Sequence, residues 1–260
     1  MILRGSVYSK VLDLDTGLTI LTPKDYDSNE KYPVAYLLHG LTGNHDSWLT
    51  NTMLPVYANK YQMIFVMPEV NRSFYTNMRY GLNYFDYISL ELPKIIKQTF
   101  NISSRKEDTY IMGASMGGYG ALKCGFNYPE TFGNVLAFSS AMLLVKQELP
   151  ELRRVESQSR EGLNPAILKD LESAFGPELA IDESVDLLSL ATKIPERERP
   201  NVFVSCGTAD NLLANNRIFN EEISRLGWQI TYCELPGNHD WYHFNEALVA
   251  GLRWTRKNKG

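Results

Sequence analysis

The chain has 260 residues, 44% hydrophobic and 22% charged, with a formal net charge of −4. That length suits one large α/β domain with a full core and is short for two independent ones. The acidic balance, with no Lys/Arg run before the last few residues, excludes an electrostatic nucleic-acid surface, and no run of about 18 apolar residues exists to span a membrane.

In chain order, residues 5–22 read as an antiparallel hairpin turning at Asp15-Thr16-Gly17. Residues 1–12 alternate polar and apolar side chains and lack the apolar core of a signal peptide. Tyr32–Leu38 is a strand ending in the loop His39-Gly40-Leu41-Thr42-Gly43. A helix is predicted over Ser47–Lys60, then a strand over Gln62–Met67 closed by Pro68. Asn83–Phe100 is a long helix, with Tyr84, Ile88, Leu92, Ile95 and Phe100 near helical spacing. Asp108–Met112 and Asn134–Phe138 are strands flanking a helix at Tyr119–Phe126. Residues 141–195 break the rhythm: they are charged, rich in Glu and Leu, with a helix start at Asn164-Pro165 and a stop at Gly176. This small helical insert within a single domain either caps the functional face or is a solvated excursion. Alternation returns with the strand Asn201–Cys206, the helix Leu213–Leu226, the strand Gln229–Leu235 and the helix Tyr242–Arg256, whose basic tail reads as a solvated terminus. Such alternation predicts an α/β fold, a mostly parallel central sheet with helices on both faces. Cys124, Cys206 and Cys233 are odd in number and widely spaced, which suits reduced thiols and a cytoplasmic protein.

Gly113-Ala114-Ser115-Met116-Gly117 is the most informative stretch. A serine on a sharp strand-to-helix turn needs small neighbours two residues to either side, and that turn pushes its hydroxyl out of the sheet. The pentapeptide alone arises by chance in roughly one chain in ten of this length; the strand before it and the helix after it make Ser115 a candidate nucleophile. A serine hydroxyl needs a base, and the base an orienting carboxylate. Of His39, His45, His239 and His243, His239 follows the last strand through Pro236-Gly237-Asn238, and Asp210 follows the strand before that. Asp240 competes for the acid role, but as the next residue its side chain diverges from the ring. His239-Asp240-Trp241-Tyr242-His243 also echoes a two-histidine zinc pattern, but Pro236 and Gly237 place His239 in a loop rather than on a helical turn, so no metal or other cofactor is expected. A tetrahedral intermediate needs two backbone N–H donors. Met116 follows the nucleophile and Leu41 lies in the loop after the first parallel strand, with His39 shaping that loop.

At these residues the chain resembles the α/β-hydrolases of the esterase D type, which include tributyrin, feruloyl and acetyl-xylan esterases, S-formylglutathione hydrolases and mycolyltransferases. The resemblance covers most of the chain and is strongest at His39–Trp48, Gly113–Leu122 and Gly237–Trp241; around Asn71–Tyr87 it is similar to the small bacterial tributyrin-esterase branch. It implies an α/β-hydrolase fold and hydrolysis of short acyl esters, with Ser115, Asp210 and His239 as catalytic triad and Leu41 and Met116 as oxyanion donors. The cysteine that formylglutathione hydrolases carry after the first oxyanion residue is missing, which ranks that activity lower. Trp48, Tyr75, Tyr80, Tyr84 and Trp241 either line an aromatic wall for carbohydrate esters or serve as core and rim. Acyl transfer to an alcohol, and a hydrolase fold kept as a binding protein, are the rival readings. The expected partner is a small-molecule ester, with no nucleic acid and no membrane. Relatives form dimers or tetramers, so a homo-oligomer is compatible with the resemblance.

Overall fold

In the computed structural model, which describes residues 1–158, 165–179 and 181–257, the apolar runs form one eight-stranded sheet. Its strands are β1 Ile2–Ser9, β2 Leu14–Leu21, β3 Val34–Leu38, β4 Ile64–Pro68, β5 Thr109–Ala114, β6 Asn134–Phe138, β7 Asn201–Gly207 and β8 Thr231–Leu235. They lie in the order β1-β2-β4-β3-β5-β6-β7-β8. The β1–β2 hairpin joins β4 antiparallel, and the remaining neighbours are parallel. Both faces of the parallel strands are covered, so they read as continuous apolar runs. Val34, Tyr36 and Leu38 turn to one face with Ile111, Val135 and Val204; Ala35 and Leu37 turn to the other with Met112, Leu136 and Phe203. The helices are α1 Ser47–Asn51, α2 Leu54–Tyr61, α3 Tyr84–Asp86, α4 Leu92–Thr99, α5 Met116–Asn127, α6 Val145–Gln158, α7 Pro165–Phe175, α8 Leu187–Lys193, α9 Leu213–Arg225 and α10 Trp241–Lys257. None of them, among the described residues, is long and apolar enough to cross a membrane.

Several predicted elements differ in detail, each for a local reason. The hairpin does not turn at Asp15-Thr16-Gly17: Ser9 pairs with Leu14, so the chain reverses over residues 10–13, with Asp13 at φ 55°. Gly17 is instead a strand residue facing Ser6. A Cβ there would stand 2.3 Å from the His45 ring, so close approach, not a turn, demands the glycine. The predicted helix Ser47–Lys60 breaks at Thr52, whose backbone is extended, and restarts with Pro55 in the first turn of α2. The long helix Asn83–Phe100 contains a π turn at Tyr87–Glu91, where the Leu92 N–H reaches the Tyr87 carbonyl five residues back. Pro93 has no N–H to give to residue 89, which favours that slip. The helix after Ser115 begins at Met116, three residues earlier than its apolar spacing indicates. Between β6 and β7 lie α6, α7 and α8, with Gly176 at φ 90° directly after α7. Asn164 lies outside the described residues.

Candidate active site

Ser115 joins β5 to α5 with φ 57° and ψ −121°, a region that a non-glycine residue enters only when its surroundings hold it there. Two backbone bonds do so: its N–H donates to the Phe138 carbonyl at 3.0 Å, and its carbonyl accepts from Ala141 N–H at 3.2 Å. The flanking glycines are sterically required. A Cβ on Gly113 would fall 2.5 Å from the Gly117 carbonyl oxygen, and one on Gly117 would fall 2.4 Å from the Leu38 oxygen.

From the ends of two further strands come the groups that meet this hydroxyl. His239 places Nε2 2.9 Å from Ser115 Oγ and Nδ1 2.8 Å from Asp210 Oδ2. Parallel register brings these loops to one sheet edge, since Ala114 pairs with Phe138, Phe138 with Ser205, and Gly207 with Leu235. The side chain of Asp210 is fully buried. Burial pushes its carboxyl up, but the His239 ring, the Leu212 N–H at 2.8 Å and the Ser139 hydroxyl outweigh that, so it stays below the usual carboxylate range. Asp240, the rival acid, turns away and accepts from the His243 N–H at 3.0 Å at the start of α10. Both ring nitrogens of His239 are thus engaged, and the buried His243 ring packs against Gly237, where a Cβ would stand 2.8 Å from His243 Cβ. The two histidines therefore do not share the helical turn that a zinc pair needs. Cys124 lies in the core, and burial pushes its thiol up to about 12, which leaves it inert.

The loop after β3 lies against Ser115: a Cβ on Gly40 would stand 3.5 Å from Ser115 Cβ. The Gly40 carbonyl accepts from His39 Nδ1 at 2.8 Å and from the Gly43 N–H at 2.9 Å. That carbonyl and the Leu41 N–H belong to one trans peptide, so pinning the oxygen aims the N–H the opposite way. Among the described residues, neither the Leu41 nor the Met116 N–H has a protein acceptor. His39 is thereby a residue that shapes the loop; its Nε2 lies 3.2 Å from the Val70 N–H and 3.3 Å from Glu69.

The aromatic side chains divide. Trp48 and Tyr75 are not on a wall: they are 1% and 0% exposed. Their polar ends hold the chain just before the loop, Trp48 Nε1 donating to the Leu38 carbonyl at 2.8 Å and Tyr75 Oη to the His39 carbonyl at 2.9 Å. Tyr84 is buried too, and its hydroxyl accepts from Asn71 Nδ2. Tyr80 is exposed and lines a cavity whose lining excludes Ser115 and His239. Trp241 is half-buried, edge-on to Trp48 and to Phe244, whose ring in turn meets His239 edge-on at 5.1 Å. Sequence reasoning missed Ser139, whose hydroxyl accepts from the Gly207 N–H at 3.3 Å and helps hold the Asp210 carboxyl low, and Arg72, whose guanidinium reaches the Leu41 carbonyl at 3.4 Å and Asp170 of α7 at 2.6 Å. Ser139 directly follows β6, the same strand-end position that marks Ser115 on its own strand.

A family model described as a putative esterase matches residues 9–255. An acetyl esterase of Caldicellulosiruptor saccharolyticus is 29% identical over 269 residues, covering 98% of each chain. Among solved structures, the fluorophosphonate-binding serine hydrolase F of Staphylococcus aureus is similar with a TM-score of 0.84 at 25% identity, covering 98% of each chain. An S-formylglutathione hydrolase of Staphylococcus aureus gives a TM-score of 0.81 at 25% identity, again over 98% of both chains. The α/β-hydrolase fold is shared with these serine hydrolases, and the chain belongs to the putative esterase family as a serine carboxylic ester hydrolase.

Proposed function

We propose that Ser115, His239 and Asp210 are the catalytic triad of an esterase acting on short acyl esters in two steps. As Ser115 Oγ attacks the ester carbonyl, its proton passes to His239 Nε2; Asp210 fixes the ring tautomer and stabilises the imidazolium that forms. The Leu41 and Met116 N–H groups hold the negative oxygen of the tetrahedral intermediate. The imidazolium returns the proton to the departing alcohol, leaving the acyl group on Ser115. Water then repeats the attack, giving its proton to His239, and the acid leaves as Ser115 recovers its own.

The continuous contact from Ser115 Oγ through both His239 nitrogens to a buried carboxylate carries this reading. Short acyl groups are favoured because the 29%-identical relative is an acetyl esterase. Carbohydrate esters are favoured less, since Trp48 and Tyr75 are in the core rather than on a wall, and Trp241 reaches the base only through the ring of Phe244.

Two measurements test it. Ser115→Ala should lose on the order of 10⁶ in kcat on p-nitrophenyl acetate and should no longer take a fluorophosphonate label; retention of most activity ends the proposal. Across p-nitrophenyl acyl lengths, acetylated xylo-oligosaccharide and methyl ferulate, the highest kcat/KM should fall on the shortest acyl chains, and a preference for ferulate would replace the short-chain assignment. Product analysis with an added alcohol separates hydrolysis from acyl transfer.

A further inference from the structure

Eight residues after Ser115, about 12 Å along α5, Lys123 is 2% exposed yet lines a cavity of about 780 Å³. The cavity lies between the segment from Thr76 to Phe85 and the part of the insert that follows α7. Its size is that of a small-molecule site. Its walls are held in place: the Arg79 and Tyr80 N–H groups donate to the Ala174 and Ser173 carbonyls, and Tyr119 Oη donates to the Val185 carbonyl at 2.8 Å. Met78, Phe85, Phe175, Ile181 and Val185 form the apolar part of the lining, and the Lys123 ammonium sits over one of them, Phe85.

A buried ammonium with three donors is costly unless it is paired. Lys123 Nζ donates to the Tyr75 carbonyl at 3.1 Å and sits over the Phe85 ring at 4.4 Å. Among the described residues it has no carboxylate within ion-pair distance. Asp182, on the cavity lining, spends Oδ1 on the N–H and hydroxyl of Ser184. A lysine serving only as a tether would meet more acceptors than one carbonyl, and an apolar residue would fill the same volume at lower cost. We propose that this cavity is a second ligand site, distinct from Ser115, that takes a small monocarboxylate with an apolar body, its carboxylate paired with Lys123.

The rest of the lining restricts the ligand's charge. Arg79 is the other cation, and Glu178 and Asp182 are opposite to it, so a dianion such as phosphate meets net repulsion beyond the single pairing at Lys123. An uncharged ligand of the same shape leaves the ammonium unpaired. The ligand class follows from the buried Lys123 ammonium, without a carboxylate of its own among the described residues, beside apolar side chains.

The test is titration calorimetry of the full chain with Ser115 blocked by a fluorophosphonate, so that binding beside the nucleophile does not contribute. Benzoate should bind saturably, with benzamide at least about tenfold weaker and Lys123→Met at least about tenfold weaker toward benzoate, the worth of one charge-assisted contact. Met78→Trp, which narrows the cavity at its apolar wall and leaves Lys123 intact, should also weaken binding at least about tenfold; this variant decides the matter if Lys123→Met does not fold. Burial pushes the Lys123 ammonium down to about 8, against the pull of Cys124, Asp86 and Asp182, so benzoate should weaken as pH rises from about 7 to about 9. Arg79, Glu178 and Asp182 are the other charged groups that line the cavity. No saturable benzoate binding, equal affinity for benzamide, tighter binding of inorganic phosphate, or unchanged affinity in either variant overturns the proposal. Failure of Ser115 to take the fluorophosphonate would count against the triad alone, since the benzoate titrations then run on the unblocked chain with the same two variants.

Discussion

The sheet edge that carries Ser115, Asp210 and His239 and the insert between β6 and β7 are built on different terms. At the edge, backbone bonds join neighbouring strand ends: Ser115 N–H to Phe138, Thr208 N–H to Leu235, and Ala209 N–H to Gly237. Each loop is thereby fixed to its neighbour as well as to its own strand. The insert packs Leu149, Leu171, Phe175, Leu187 and Leu190 into the main core, while its polar links to the rest are scattered, among them Arg72 to Asp170, Asn127 Nδ2 to the Ser184 carbonyl, and Tyr119 Oη to the Val185 carbonyl. Each is worth about 1 kcal/mol, whereas chemistry at Ser115 depends on placement to within a fraction of an ångström. Bonding between strand ends therefore sets the geometry at Ser115, and the polar links of the insert can vary around it.

Beyond Ser115 itself, the largest effect should come from the buried acid. Asp210→Asn keeps an acceptor for the Leu212 N–H and the Ser139 hydroxyl but favours the wrong tautomer of His239. The expected result is a fall of about 10⁴ in kcat with little change in thermal midpoint. Activity within tenfold of wild type would mean that the edge is less demanding than its bonding implies.

Much of this edge was legible in the sequence because its signals are local. A residue just past an apolar β run is placed by that run, so the sequence puts Ser115, Asp210 and His239 at neighbouring strand ends, where the structure brings their side chains into contact. Tertiary approach was not legible in the same way. Gly17 looks like a turn residue until the His45 ring is seen beside it. Trp48 and Tyr75 look like a binding wall until their polar ends are found on the Leu38 and His39 carbonyls. Pro93 was the visible cause of the π turn, yet the apolar spacing of the surrounding residues concealed it.

A step smaller, His39 tests whether the loop must be aimed. Replacing it with Leu removes one of the two bonds to the Gly40 carbonyl, leaving that from the Gly43 N–H, and loosens the peptide that carries the Leu41 N–H. The kcat should fall by about 10², near the cost of losing one oxyanion donor, with KM little changed. His39→Asn, whose Nδ2 can reach the same carbonyl, should recover a large part. Equal losses in the two variants would point to a role in folding alone.

Next in size is an acid-side effect on stability at the same loop. Burial pushes the Glu69 carboxyl up, but the His39 ring and the N–H groups of Asn71 and His45 outweigh it and hold it at about 2. A carboxylate held below its unfolded value contributes stability that is present above about pH 4.5 and lost as pH falls toward about 2. Urea midpoints measured across that window should drop for the wild type and drop less for Glu69→Gln. Parallel curves would show that other carboxylates govern acid unfolding.

The smallest effect is the one most able to overturn the contrast between edge and insert. Arg72 links Asp170 of the insert to the Leu41 carbonyl, yet the Arg72 and Asp170 side chains are 37% and 20% exposed. A pair so placed is screened and contributes at most about 1 kcal/mol, less than a tenfold change in any equilibrium it biases. Asp170→Asn should therefore leave kcat on p-nitrophenyl acetate unchanged and shift KM for longer acyl chains by less than about fivefold. Arg72→Met should do the same if its bond to the Leu41 carbonyl is incidental. If it instead lowers kcat on the shortest substrate while Asp170→Asn does not, then Arg72 orients the loop by itself. The line between reaction geometry and variable insert would then run through Arg72 rather than through the β6–β7 junction.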